Sequence, residues 1–462
     1  MASSNLIQIQ SPHYADLDFL DLHQAFPERY PFLLESVAHG SLGAFDILFA
    51  YPQHTITCQN LEDAAGFIEK FNQAFLQTSL PSSLADDLDE HLPFRGGWFG
   101  YFSYDYANVV EPSLNLPMSD LPLATLTRMP AALIKQHATE SLFLLAEFEF
   151  QTLLPQIEAD IASVLAVNHA PQATKTVNSS VILSASEEPE TKYLSGVEAI
   201  KDYILSGDNF QVNLSREWSV ALDGDNYADV YRALRKHNPA PFAACVHFGD
   251  WQLLSSSPER LVKYQHPWVE TRPIAGTRKR STDALADQAL IDELISHPKE
   301  RAEHIMLIDL ERNDLGRICQ PGTVEVNELM VVETYEHVHH IVSNIRGKLQ
   351  AGMLPLDIIH AVFPGGTITG CPKVRCMEII AELEQMPRKA YTGSLGYINH
   401  DGSLDFNILI RTMLMQGNQV TFRAGAGIVA DSIADKELEE TRHKAKGLIN
   451  ALNHVKFGLS SK

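Results

Sequence analysis

Apolar positions in this chain recur at two different periods, and the order in which those periods follow one another limits the fold more than any other feature. Alternating runs at 45–50, 55–58, 243–248, 251–255, 337–345, 391–397, 405–416 and 420–424 read as strands. Runs at helical spacing cover 61–76, 192–205, 286–316, 373–384 and 434–454. A doubly wound parallel sheet needs one helix between each pair of strands. Here strands follow strands directly. The chain is therefore read as α+β, with two large, mainly antiparallel sheets packed face to face and helices outside.

The domain reading places an N-terminal region at 1–167, a linker at 168–190 where Asn, Ser, Thr, Pro and Glu dominate, and the main catalytic domain at 191–462. Net charge is −22, from 36 basic and 58 acidic residues. Such a surface disfavours nucleic acid and anionic membranes, while a local basic pocket for a small anion stays compatible with it. Five cysteines, without a Cys-x-x-Cys pair, read as reduced thiols of a cytoplasmic protein. Met1 to Asn5 open neither a basic nor an apolar leader segment, and no apolar run reaches transmembrane length.

Acidic spacing supplies the first functional signal. Glu300 and Glu303 stand three apart in a run with helical spacing, as do Glu437 and Glu440, with Lys444 one turn beyond. On a helix each pair projects from one face. Two such pairs either hold a hard cation such as Mg²⁺, which takes oxygen ligands, or are solvated helix faces. Gly365 and Gly370 have phosphate-loop spacing, but Cys371 follows where that loop needs Lys. Gly425-x-Gly427-x-x-Ala430 is read as a loop of dinucleotide-binding type. With too little chain after the next helix for a second strand, NAD is not expected. Both loops are expected to aim backbone N–H groups at a small carboxylate. His339 and His340 face opposite sides of their strand, each either packed or reactive. Glu259 either caps a turn or acts as an acid with a raised pKa. Arg411, inside the apolar run 408–412, needs an anion: a substrate carboxylate or a protein one.

Residues 190–455 resemble the chorismate-utilising enzymes, among them anthranilate, aminodeoxychorismate, isochorismate and salicylate synthases. The motifs that carry this are Ser257-Pro258-Glu259-Arg260, Pro273 to Thr277, Glu300 to His304, Asp309 to Arg317, His340 to Ser343, Phe363 to Lys373, Ile410-Arg411-Thr412, Ala424 to Ile428, and Glu437 through Lys444. The resemblance implies that Glu300, Glu303, Glu437 and Glu440 hold Mg²⁺, directly or through water, and that the ion binds the ring carboxylate of chorismate. It further implies that Tyr391 and Arg411, with backbone N–H groups at Gly425, Ala426 and Gly427, clamp the enolpyruvyl carboxylate. Lys444 adds positive charge near the metal. Glu259 protonates the departing 4-hydroxyl, Thr277 helps hold that side beside Ala275 and Gly276, and His340 orients the ring or serves a later step. Expelling hydroxide from C4 while a nucleophile adds at C2 needs an acid near C4 and charge stabilisation at the C1 carboxylate.

Gln211 stands where water-using members carry an activating Lys, so the resemblance implies ammonia as nucleophile and a separate glutamine amidotransferase subunit to supply it. Ala275, in place of a Lys that adds covalently at C2, follows the anthranilate synthase pattern, and Leu33 to Ser36 resembles the tryptophan-inhibition element of those enzymes. The stretches 45–52, 93–97, 240–242 and 363–366 resemble aminodeoxychorismate synthase, and they span the chain. The expected member is thus component I of aminodeoxychorismate synthase, in the subclass with Ala at 275, serving para-aminobenzoate and folate synthesis. Component I of anthranilate synthase is the alternative.

Overall fold

The structure, a computed structural model, describes residues 6–10, 17–38, 44–78, 92–169, 182–223, 227–335 and 338–457. The expectations for Met1 to Asn5, for 170–181 of the linker and for the 337 end of one strand lie outside the described residues.

Two large sheets form the frame, and their strands pair antiparallel, as expected. The first sheet has 12 strands and the second 10. Alternation along individual strands shows why they stack. In the strand Phe45–Ala50, Ile47 and Phe49 point to the interior between the sheets, while Leu48 and Ala50 point to the outer face. The interior takes Phe32, Phe49, Val246 and Leu253 from the first sheet and Phe99, Tyr101, Leu395 and Tyr397 from the second. The rings of Phe32 and Phe99 stack across that layer at 4.0 Å. Helices Phe19–Ala25, Leu154–His169, Tyr227–His237 and Ala434–Phe457 cover the outer face of the first sheet. Helices Ala64–Thr78, Pro298–Gly316 and Pro355–Val362 cover that of the second.

Strands from the first third of the chain extend both sheets. Phe32–Glu35 pairs with Phe242–His247, and Gly97–Phe102 pairs with Ser394–Asn399. The described end of the 168–190 linker is not bare connector: Ile182–Glu187 is a strand on Gln211–Leu222.

Several local expectations change. The helix expected over 286–316 is two, Ala284–Ser296 and Pro298–Gly316, broken at His297 with ψ 114°. Pro298 lacks an N–H and disfavours a helical residue before it, so it opens the second helix. The strand expected over 405–416 is two, Leu404–Asn407 and Thr412–Gln416, and Arg411 sits between them at φ 52°. Ser394, not Tyr391, begins its strand. Gly425, Ala426 and Gly427 form no loop; they lie inside the ten-residue strand Gln419–Ile428. The dinucleotide-type loop therefore does not exist.

Candidate active site

The strand Gln419–Ile428 is the centre from which the site is best built. Its glycines leave bare backbone that side chains of the neighbouring strand Gln211–Leu222 cover. A Cβ at Gly425 would meet Asn213 Oδ1 at 2.6 Å and Leu214 O at 2.7 Å, and one at Gly427 would collide with the Gln211 amide. Gln211 Nε2 then donates to Glu303 Oε1 at 2.6 Å, tying the strand to the start of helix Pro298–Gly316. On the other side, Lys444 Nζ donates to Gly425 O at 2.9 Å and pairs with Glu440 at 2.7 Å. Both carboxylate-bearing helices thus reach the same short stretch of strand.

The two acidic pairs do not form a ready cage. Among the described residues no three His, Cys, Asp or Glu side chains come together as metal ligands. Glu300 faces Arg278 at 3.2 Å and closes over Gly276, Glu303 faces Gln211, and Glu440 faces Lys444. Their chemistry still suits a hard cation, since all are carboxylate oxygens.

Helix Pro298–Gly316 also reaches, through Glu300, the second sheet's edge strand Ile274–Lys279, which pairs with Val338–Lys348. Thr277 Oγ1 and His340 Nδ1 are 2.9 Å apart. Burial and the Arg411 charge push the His340 pKa down to about 4, so the ring is neutral at pH 7. His339, one residue away, faces the other side and is structural: it bridges Asp287 and Thr334, both at 2.9 Å. Ala275 is buried and offers only a methyl group.

Glu259 sits where the chain passes from the first sheet to the second. It is 6 % exposed, and burial raises its pKa to about 7 against the opposing pull of Thr367, the Ile274 N–H and Lys444. Its Oε1 has no hydrogen-bond partner among the described residues. A buried carboxyl of this kind still holds its proton in a large share of molecules at neutral pH and has an oxygen without a partner among the described residues. Of the two readings of Glu259, the acid is the one its surroundings favour.

Arg411 resolves in the same direction. No carboxylate among the described residues comes within ion-pair distance of its guanidinium, though Tyr391 and Glu440 are near enough to offset part of its desolvation. Tyr391 is buried, with the Arg388 guanidinium 5.4 Å from its ring.

The sequence reading missed Tyr193. Its hydroxyl is buried with no hydrogen-bond partner among the described residues, close to the charges of Glu437 and Glu440 and to Tyr391. On a helix whose other apolar positions are core, a Tyr gives no separate signal. The site combines a carboxyl with a raised pKa, a neutral His, an Arg without a carboxylate partner among the described residues, a Lys and the two acidic pairs. That set can bind a dicarboxylate and protonate a leaving group on it.

Residues 29–450 match the family of chorismate binding enzymes, and the chain belongs to that family. It is a chorismate-utilising enzyme. Among its relatives, aminodeoxychorismate synthase component 1 of Bacillus subtilis (strain 168) is 44% identical over 371 residues, covering 78% of this chain and 77% of the relative. Anthranilate synthase component 1 of Acetivibrio thermocellus is 35% identical, covering 98% and 96%. The crystal structure of anthranilate synthase component I from Streptococcus pneumoniae TIGR4 shares the fold with a TM-score of 0.74 at 30% identity, covering 89% of this chain and 93% of that one.

Proposed function

We propose that the chain is component I of an aminodeoxychorismate synthase, converting chorismate and ammonia to 4-amino-4-deoxychorismate and water. The observation that carries this choice is the 44% identity to the B. subtilis aminodeoxychorismate synthase component, against 36% to the anthranilate synthase component 1 of the same organism, each over 78% of this chain. Ammonia comes from glutamine through a separate amidotransferase subunit.

In this reading Arg411, Tyr391 and the strand 425–427 hold the enolpyruvyl carboxylate, the unpaired guanidinium supplying the charge-assisted bond. Gln211, which cannot act as a base, only shapes the nucleophile's side. Glu259 gives its proton to the 4-hydroxyl as the C4–O bond breaks, and water leaves. Thr277 and His340, neutral, fix the ring's edge. Lys444 raises the positive potential at the carboxylate end. Glu300, Glu303, Glu437 and Glu440 would hold Mg²⁺, which when bound supplies a positive charge for the ring carboxylate. With no lysine at 275, ammonia itself adds at C2, and a second ammonia adds at C4 and displaces the first.

A second reading, anthranilate synthase, is favoured by Ala275 and by the surroundings of Leu33 to Ser36. Leu34, Glu35 and Ser36 line a cavity of about 470 Å³ between the N-terminal strands and the second sheet. Product analysis separates the two. Chorismate, Mg²⁺ and ammonium are incubated with the protein, and products are identified by mass. The proposal expects 4-amino-4-deoxychorismate; anthranilate with equimolar pyruvate overturns it.

A further inference from the structure

The two side chains proposed to hold the enolpyruvyl carboxylate stand on strained backbone. Tyr391 lies between Lys389 at φ 56° and Thr392 at φ 63°, and Arg411 itself has φ 52°. A residue other than glycine in this left-handed region carries a steric penalty and persists only where its surroundings over-determine it. Around Tyr391 they do. Lys389 N donates to Asp105 Oδ1 at 3.2 Å, and Tyr104 N donates to Lys389 O at 2.8 Å. Thr392 N donates to Leu409 O at 2.7 Å, two residues before Arg411.

Arg388 stands at the centre of this bracing and is 2 % exposed. A guanidinium has five N–H donors, and five contacts account for them here. Nε reaches Glu384 Oε2 at 2.9 Å, and Nη2 reaches Glu384 Oε1 at 2.6 Å and Asn213 O at 2.7 Å. Nη1 reaches Ile368 O at 3.2 Å and, in a longer contact, Thr392 Oγ1 at 3.5 Å. No donor is left over for a substrate anion. The guanidinium carbon also stands over two rings, 4.9 Å from the Tyr104 centroid and 5.4 Å from that of Tyr391. Asn213, whose backbone it holds, is the residue whose side chain covers Gly425.

We infer that Arg388 is a positioning residue for Tyr391, fixing its ring against the strand beside the glycines, on the reading that Tyr391 touches the enolpyruvyl carboxylate. That carboxylate is remote from the bonds that break and form. A loosened Tyr391 therefore weakens substrate and transition state alike, which raises KM and leaves kcat in place. A purely structural loss acts differently, since it lowers the active fraction and hence kcat at unchanged KM.

The test is the steady-state kinetics of chorismate consumption, with Mg²⁺ and saturating ammonium, for Arg388→Lys, Tyr391→Phe and the double variant. Lysine keeps the charge opposite Glu384 but loses the planar fork. Arg388→Lys should raise the chorismate KM about fivefold with kcat within about twofold of wild type. Tyr391→Phe, which removes only the hydroxyl, should raise KM about tenfold. Adding Arg388→Lys to it should change KM by less than about twofold, because the group being positioned is gone. If Arg388→Lys does not fold, Lys389→Gly serves instead: glycine takes φ 56° without penalty, so this variant should melt close to wild type. Its KM should rise about threefold, and again not on the Tyr391→Phe background. A wild-type KM in the single variant, or an effect that multiplies in full with that of Tyr391→Phe, overturns the positioning role. Failure of the underlying reading looks different: Tyr391→Phe alone would then keep the wild-type KM.

Discussion

Replacing Glu384 by Gln offers the clearest test of what holds the site together. Glu384 ends the helix Lys373–Glu384 and is 2 % exposed. Its carboxylate accepts from Ser215 N at 2.9 Å, Ser215 Oγ at 2.7 Å, and Arg388 Nε and NH2 at 2.9 and 2.6 Å, with Arg423 at 3.1 Å. Arg388 in turn donates to Asn213 O and Ile368 O and lies over the Tyr391 ring. One carboxylate therefore balances two buried guanidinium groups that brace the glycine strand's neighbour and the Tyr391 ring.

Two routes give the size of the effect. Removing one partner of a buried ion pair costs about 3–5 kcal/mol, because the other charge is left uncompensated. Although burial opposes it, the two arginines and Ser215 hold the Glu384 pKa down at about 2. A depression of that size below the ordinary glutamate range corresponds to ~3 kcal/mol. The sign follows from the depression: this stability is present above the unfolded pKa near 4.5 and is lost as pH falls toward 2. Urea unfolding at pH 7 should show Glu384→Gln less stable by about 3–5 kcal/mol at unchanged slope. The gap between variant and wild type should narrow between pH 4.5 and 2. A difference below about 1 kcal/mol at pH 7, or one independent of pH, would refute the reasoning.

Glu259 has the opposite linkage. Its folded pKa is raised to about 7, so its favourable contribution is complete below the unfolded value and disappears as pH rises through 7. Glu259→Gln should therefore gain about 2–3 kcal/mol over wild type in urea unfolding at pH 8 but not at pH 4, while chorismate turnover is lost. The two strand glycines should separate as well. Gly425→Ala pushes a methyl into backbone at Leu214 O and should lower stability by about 1–3 kcal/mol in a thermal melt. Gly427→Ala meets only the flexible end of Gln211, so it should fold normally and lose activity.

Much of this architecture was written into local pattern. The runs at 45–50 and 251–255 mark strands by being short and rich in apolar residues, as suits strands buried on both faces, and the acidic pairs at 300–303 and 437–440 declare their helix faces by spacing alone. His339 and His340 had to diverge for the same geometric reason. Pairing partners distant along the chain could not be read, since nothing in Phe32–Glu35 names Phe242–His247 as its neighbour. Gly425 to Gly427 misled because glycine usually breaks a strand; here the gaps receive Asn213 and Gln211. Pro298 marked a helix start, yet the run before it kept helical spacing and hid the break at His297. Tyr193 stayed hidden because helical core is its ordinary meaning. Only its unpartnered buried hydroxyl and the neighbouring charges single it out.

The central claim is that two helices far apart in sequence present their carboxylates to one ligand. Chorismate binding, followed calorimetrically with and without Mg²⁺, tests it without requiring turnover. The account predicts that Mg²⁺ tightens chorismate binding by about tenfold or more in the wild-type protein. It also predicts that Glu303→Gln and Glu440→Gln each abolish that tightening while melting near the wild-type temperature. If either variant alone keeps the full Mg²⁺ effect, the two helices do not share a ligand and the proposed site is wrong.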